Sequence, residues 1–302
     1  MKAIVVGLGV QGKKRKKFLG KDFVFSVDKY AKADFKSISE VPLKSYDSVY
    51  LCTPDNAKLK IIDFCIKNKK NILVEKPMLA KQSKKLFDIE KKAITNKLLI
   101  QTAYNHRFEP AIVELKKIIK KKSIGKIYKC RMFYGNGTAF LVKKSPWRDK
   151  KLGIITDLGS HLIDICKFIF DDNIKKIKLL ETNKFENKSA DHATLTAEIR
   201  NIKVNLEMSY CMWKNTFNCD VLGSKGSIHI NSLCKWSQSS LVVRKRVFPS
   251  GVPKEKKIIY KKGDPTWFLE NKNFKDNIIY KKKTNLKKDI YINNCFKKLS
   301  KK

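Results

Sequence analysis

Lys2-Ala3-Ile4-Val5-Val6-Gly7-Leu8-Gly9-Val10-Gln11-Gly12 is the stretch that decides the fold. The apolar run Ala3 to Val6 reads as a strand with both faces to bury. Three glycines at GxGxxG spacing follow at once, and a Lys-rich helix pattern continues to about Leu19. The order strand, glycine turn, helix is what gives this spacing meaning. Gly7 permits the tight turn, Gly9 lets the backbone approach a pyrophosphate, and Gly12 lets helix and strand pack closely. The helix start, with Val10 and Gln11, then offers N–H groups and a positive dipole end to an anion. A second strand, Phe23 to Asp28, ends in an acid 21 residues after Gly7, where a carboxylate would hydrogen-bond a ribose diol. That charge repels a 2′-phosphate and favours NAD, with NADP left open because Lys29 sits beside it. The run Lys13-Lys14-Arg15-Lys16-Lys17 reads as a solvated helix face, since the backbone already binds the phosphates.

Outward from there, strand and helix patterns alternate to residue 103. Ser48 to Cys52 is a strand closed by Thr53-Pro54, and a helix with Leu59, Ile62, Phe64, Cys65 and Ile66 follows. Asn71 to Val74 is a strand ending at Glu75-Lys76-Pro77; a helix over roughly 80–96 and a strand over 98–103 complete the series. Such alternation predicts βαβ units and a parallel sheet. From Pro110 the pattern changes to a helix through about Lys121, a strand over 127–133 and a helix over 156–170. Strand patterns then run over 175–182, 192–200, 203–211, 217–222, 227–231, 240–248 and 256–261, and helical patterns over 266–281 and 286–299. Short links between strands imply antiparallel pairing. The expected architecture is an α/β N-terminal Rossmann domain plus an α+β C-terminal domain with a mostly antiparallel open sheet. The expected spans are 1–118, NAD(P)-binding, and 119–302, for substrate and oligomerisation, with the C-terminal helix able to pack back on the first domain.

The 302 residues suit two domains, and 42% hydrophobic content excludes wholesale disorder. No segment approaches the ~20 apolar residues of a membrane span. The first apolar run ends in the glycine turn instead of extending into a signal-peptide core, so a cytoplasmic location is expected. The net charge is +39, from 60 Lys and 7 Arg against 28 acids. The lysines are scattered among Ile, Asn and Phe, which fits a compositional bias toward A/T-rich codons better than a nucleic-acid surface. The same charge can also draw anionic ligands such as nucleotide sugars. No specific nucleic-acid partner is expected. The eight cysteines form no CxxC pair and none has zinc-like spacing from a His, so neither metal nor disulfide is expected.

Three further segments carry candidate chemistry. Glu75-Lys76-Pro77 ends a parallel strand, where open α/β sheets bind ligands, and Pro77 biases Lys76 away from helical conformation. Tyr104-Asn105-His106-Arg107-Phe108 follows the next strand. In Gly153 to Asp164, Asp157, His161 and Asp164 share one helix face, and a carboxylate near a His can orient it.

Taken in order, the glycine fingerprint, Thr53-Pro54, Glu75-Lys76-Pro77, Tyr104 to Pro110, Trp147-Arg148, Asp157 to Asp164 and the turn Gly223-Ser224-Lys225-Gly226 resemble the Gfo/Idh/MocA oxidoreductases. The resemblance implies an NAD(P)-dependent enzyme acting on a sugar, cyclitol or nucleotide sugar, with the C-terminal sheet mediating a homo-dimer or tetramer. It implies that Lys76 polarises the reacting carbonyl or stabilises the alkoxide, that His161 is the general acid/base, and that Asp157 tunes the pair. It offers Arg107 and Asp164 to substrate, and Thr53, Pro54, Glu75, Asn105, Trp147 and Arg148 to the cofactor. Relatives commonly carry His where Lys58 stands, which puts one cofactor contact in question. A redox-neutral epimerase or eliminase with recycled NAD, and a cofactor-binding protein without chemistry, are the competing readings. His106 is either a cofactor neighbour or packed under its loop; His192 and His229 read as structural, and Trp213, Trp236 and Trp267 as packing residues.

Overall fold

Ala3–Val6 forms strand β1, and all four side chains are buried, as a strand covered on both faces requires. In the computed structural model, which describes residues 1–300, α1 (Val10–Leu19), β2 (Phe23–Val27), β3 (Ser48–Leu51), α2 (Asp55–Lys67), β4 (Asn71–Glu75), α3 (Ser83–Thr95) and β5 (Ile100–Ala103) follow. The strands form one parallel sheet in the order β2-β1-β3-β4-β5. The order reverses at β1 and β3, so their C-terminal ends open a crevice suited to a ligand. Ile4, Val49, Leu51, Ile72 and Val74 pack on Ile62 and Cys65 of α2 and on Leu86 and Ile89 of α3. Val5, Tyr50, Leu73 and Ala103 face the other way, onto Leu19 and Phe274.

The chain continues through a 3-10 turn at Asn105–Phe108, α4 (Pro110–Lys120), β6 (Ile127–Gly135), α5 (Ala139–Lys143) and α6 (Ile154–Phe170). Strands β7 (Lys175–Asn183), β8 (His192–Ile199), β9 (Ile202–Ser209), β10 (Thr216–Gly223), β11 (Gly226–Asn231), β12 (Ser239–Val247) and β13 (Gly251–Tyr260) come next, then α7 (Thr266–Ile279) and α8 (Lys287–Leu299). The second sheet has eight strands in the order β13-β12-β11-β10-β6-β9-β8-β7. Its neighbours are antiparallel except β6 and β9, which run parallel. The long excursion through α6, β7 and β8 separates these two strands in sequence and permits the parallel pair. In β8, alternate residues Ala193, Leu195, Ala197 and Ile199 are buried, as a sheet covered on one face demands. Helix α6 covers that face, and α4 packs against α6 through a stripe that includes Ala111, Ile112 and Leu115.

Two compact units result. One comprises Met1–Asn105 and Trp267–Asn294; the other comprises His106–Thr266 and, among the described residues, 295–300. The division therefore falls at 105/106 instead of 118/119, because α4 spends its apolar face on α6. Helix α7 returns to the first unit: Phe274 meets the Tyr50 ring edge-on at 5.6 Å, and Asn271 accepts from the Tyr50 hydroxyl. Strand β13 begins five residues before its sequence pattern, because residues 251–257 are all exposed in an edge hairpin and carry no apolar alternation. Among the described residues, no helix is long and apolar enough to cross a membrane.

Candidate active site

In the first unit, the turn after β1 has the shape its glycines allow. Gly7 adopts φ +95°, and a Cβ on Gly12 would lie 1.8 Å from the Gly7 carbonyl oxygen, so β1 and α1 meet closer than any side chain permits. Gly9 caps α1 with no side-chain hydrogen bond, and a Cβ built on it meets nothing within 4 Å. The first-turn N–H groups thus border open space, with Val10 72% exposed. Asp28 closes the turn: its Oδ2 accepts from the Leu8 N–H at 2.6 Å, and its Oδ1 accepts from Tyr30 and Ala31 at 2.8 Å. Partial burial works against its charge, but the backbone N–H groups outweigh that and hold the carboxyl below the usual range. At the end of β3, the Thr53 Oγ1 is buried with no hydrogen-bond partner, and Pro54 caps α2. A helix start bordering open space, a charged acid at the end of β2 and an orphan hydroxyl nearby in sequence to the strand end fit a dinucleotide.

The end of β4 is braced from two sides. Glu75 Oε1 accepts from Arg15 Nε at 2.7 Å and lies 2.7 Å from Arg15 Nη2. The same guanidinium reaches Glu270 on α7 at 2.6 Å and lies 4.3 Å from the Trp267 ring centroid. Arg15 is 3% exposed, so the run 13–17 is not uniformly solvated. Its single arginine turns inward because a planar fork can serve two carboxylates while lysines at 13, 14, 16 and 17 stay outside. Glu75, offered by sequence to the cofactor, is thereby an anchor of its own strand. Lys58 is buried and donates to the Pro77 carbonyl at 3.0 Å and to Asp55 at 2.7 Å. Where relatives commonly have His, this chain has a cation that holds the turn bearing Lys76. Lys76 is half-buried, and Asn105 is buried.

In the second unit, α6 presents Asp157, His161 and Asp164 as the spacing predicts. Asp157 Oδ2 accepts from Arg148 Nη2 and from the Tyr210 hydroxyl, each at 2.8 Å. Burial, reinforced by the Asp157 charge, pushes the Tyr210 hydroxyl well up, so it remains a donor. Arg148, which the resemblance offers to the cofactor, places its guanidinium on Asp157, and Trp147 is exposed. Both oxygens of Asp164 accept from Arg107, at 2.7 and 2.8 Å, and Asp164 is 1% exposed. The two residues offered separately to substrate therefore form one ion pair.

His161 is buried beside His106, for which the sequence leaves a cofactor or a packing role open, and beside residues that the sequence does not bring to the site. Its ring centroid lies 4.0 Å from that of His106 and 6.0 Å from that of Tyr134. Lys235 Nζ lies 2.6 Å from His106 Nε2 and 4.4 Å from the Trp236 ring centroid. Glu109 anchors the Lys235 segment by accepting from the Cys234 N–H at 2.6 Å, and burial pushes its carboxyl up. Burial also raises the Tyr134 hydroxyl, which stays protonated. Nothing in the spacing of Tyr134, Tyr210 or Lys235 announces them; strand pairing alone brings them to α6.

Residues 2–102 match the oxidoreductase family model described as an NAD-binding Rossmann fold, and residues 112–229 match the GFO/IDH/MocA C-terminal domain. Among curated proteins, inositol 2-dehydrogenase of Mycolicibacterium smegmatis is 28% identical over 134 residues, covering 44% of this chain and 37% of that protein. Glucose-6-phosphate 3-dehydrogenase of Bacillus subtilis is 25% identical over 178 residues, covering 52% and 49%. The matches thus span about a third to a half of these relatives' length. A solved structure described as a putative NADPH-dependent oxidoreductase from Desulfitobacterium hafniense superposes with TM-score 0.85 at 18% identity, covering 99% of this chain and 94% of that one. Levoglucosan dehydrogenase in complex with NADH and levoglucosan gives 0.81 at 16%, covering 100% and 97%. UDP-N-acetylglucosamine 3-dehydrogenase from Acidithiobacillus ferrooxidans gives 0.80 at 15%, covering 99% and 96%. At these identities the structures bear on the fold.

Proposed function

Since the chain belongs to the Gfo/Idh/MocA oxidoreductase family, with an NAD-binding Rossmann fold, we propose that it oxidises an alcohol of a sugar or nucleotide sugar, or reduces the matching ketone. Bound NAD supplies the hydride acceptor. The α1 start and Gly9 backbone receive its phosphates, and Asp28 hydrogen-bonds the adenosine ribose. His161 takes the hydroxyl proton as hydride leaves the carbon, and Lys76 stabilises the negative charge on that oxygen. Asp157, fixed by Arg148 and Tyr210, sits one helical turn before His161 and favours its protonated form as the proton arrives.

The observation that carries this reading is the buried His161 on one helix face with two carboxylates that are each held by an arginine. The relatives named for inositol, glucose 6-phosphate, levoglucosan and UDP-N-acetylglucosamine support polyol-like substrates, and the +39 charge supports an anionic one. The outer face of the eight-stranded sheet, with a cavity of about 490 Å³ lined by Arg131, Glu207, Asp220, His229 and Arg244, is the surface proposed to join copies of the chain.

The test begins with fluorescence titration by NADH and NADPH in moderate salt, then follows absorbance while sugars and nucleotide sugars are screened. Saturable NADH binding and turnover that drops by about a hundredfold or more in His161→Asn and Lys76→Ala support the reading. Full turnover in both variants, or no binding of either dinucleotide, overturns it.

A further inference from the structure

We propose that Lys235 is a positioning residue for His161: by donating to His106 Nε2 it locks His106 as the neutral Nδ1–H tautomer and keeps a fixed positive charge one ring away from His161. This deepens the dehydrogenase reading and rests on it only for the role of His161. An ammonium has donors and no acceptor, so a 2.6 Å contact with Nε2 requires a lone pair there. A doubly protonated His106 has none. The His106–Lys235 pair therefore carries one positive charge, held on Lys235. His106 is 1% exposed and its ring lies against His161 at 4.0 Å and 39°, so a second proton on either imidazole would bring cations together inside the unit.

The other charged and titratable groups around His161 pull in known directions. On α6 itself, Asp157 and Asp164 favour a protonated His161, but Arg148 and Arg107 hold those carboxylates at 2.8 and 2.7 Å. From β6, Tyr134 stays a neutral phenol, and Tyr210 at the end of β9 does the same. From the segment between β11 and β12 comes Lys235, whose backbone neighbour Cys234 is held by Glu109. The consequence is an imidazole kept neutral in the resting protein, and thus a base ready to accept the substrate proton. Lys235 packs over Trp236 and the Tyr134 ring, at 4.4 and 5.6 Å, which restrains the ammonium on its acceptor.

The chain has only four histidines, so ring-nitrogen NMR of the labelled full-length protein can assign each by single substitution. The expected result is a protonated Nδ1 and bare Nε2 on His106 across pH 6–8. In Lys235→Met, His106 takes a second proton within that range, and the acid limb of kcat/KM moves up by about one pH unit; Lys235→Arg keeps the original limb. An Nε2–H or doubly protonated His106 in the unmodified protein overturns the proposal, and this readout stands even if Lys235→Met fails to fold. A folded Lys235→Met with unchanged His106 signals and an unchanged limb overturns it too. Because the NMR readout needs no substrate, failure of the dehydrogenase reading shows separately, as undiminished turnover in His161→Asn.

Discussion

Arg15 Nη2 lies 2.7 Å from Glu75 Oε1, so the dinucleotide helix α1 grips the strand end that carries Lys76. The same guanidinium holds Glu270, and all three groups are largely withdrawn from water. Removing the cation leaves two carboxylates without their shared partner. Arg15→Met is expected to lose about 3–5 kcal/mol of unfolding free energy. Arg15→Met with Glu270→Met should recover part of that loss. Urea denaturation of the single and double variants measures both.

Glu270 also carries a pH signature. Burial pushes its carboxyl up to about 7, and the nearby Glu75 charge adds to that, while Arg15 pulls the other way. The folded chain therefore holds a proton that the unfolded chain, with an ordinary glutamate near 4.3, has already released. Stability from this group is fully present below the unfolded value and is lost as pH rises through 7. Thermal melts of the unmodified protein should show this decline between about pH 4.5 and 7, and Glu270→Gln should remove it. Parallel curves for the two proteins contradict the assignment.

Two glycines separate folding from binding. Gly12→Ala drives a methyl group into the Gly7 carbonyl and should lower the melting temperature sharply. Gly9 has φ −64° and open space beyond it, so Gly9→Ala should fold with a loss of only a few tenths of a kcal/mol. Its methyl group nonetheless occupies the approach proposed for the pyrophosphate. NADH affinity should fall by about tenfold or more while the melt stays close to the original; one factor of ten corresponds to ~1.4 kcal/mol of lost contact. Unchanged affinity in Gly9→Ala would move the phosphate site elsewhere.

Asp28→Asn removes a charge that the backbone N–H groups hold ionised well into acid. The ratio of NADPH to NADH affinity should rise by about tenfold, since the repulsion toward a 2′-phosphate disappears. Because the native carboxyl is depressed, the NADH preference of the unmodified protein should not change between about pH 5 and 9. Paired fluorescence titrations check both statements.

The parallel half was legible because its signals are local. Gly7, Gly9 and Gly12 have no other common explanation after an apolar strand, and Asp157, His161 and Asp164 lie on one helix whose period is visible in the letters. Arg15 was misread because helix periodicity tells which face is apolar, and a buried guanidinium hides among lysines. Tyr210, Tyr134 and Lys235 were invisible for a different reason. They lie 27 to 74 residues from His161 along the chain and reach α6 only through the β6–β9, β6–β10 and β10–β11 pairings. The parallel β6–β9 pair was likewise missed, since short links speak only for strands adjacent in sequence.

Helix α7 has a consequence for synthesis on the ribosome. The core beneath Tyr50 is closed by Phe274, more than two hundred residues later. A nascent chain that has completed β5 has all five strands of its first sheet but exposes the hydrophobic face meant for Phe274 and holds Arg15 without its second carboxylate, Glu270. The first unit therefore finishes folding only after residues 106–266 of the second have been made, and until then its apolar face is open to aggregation.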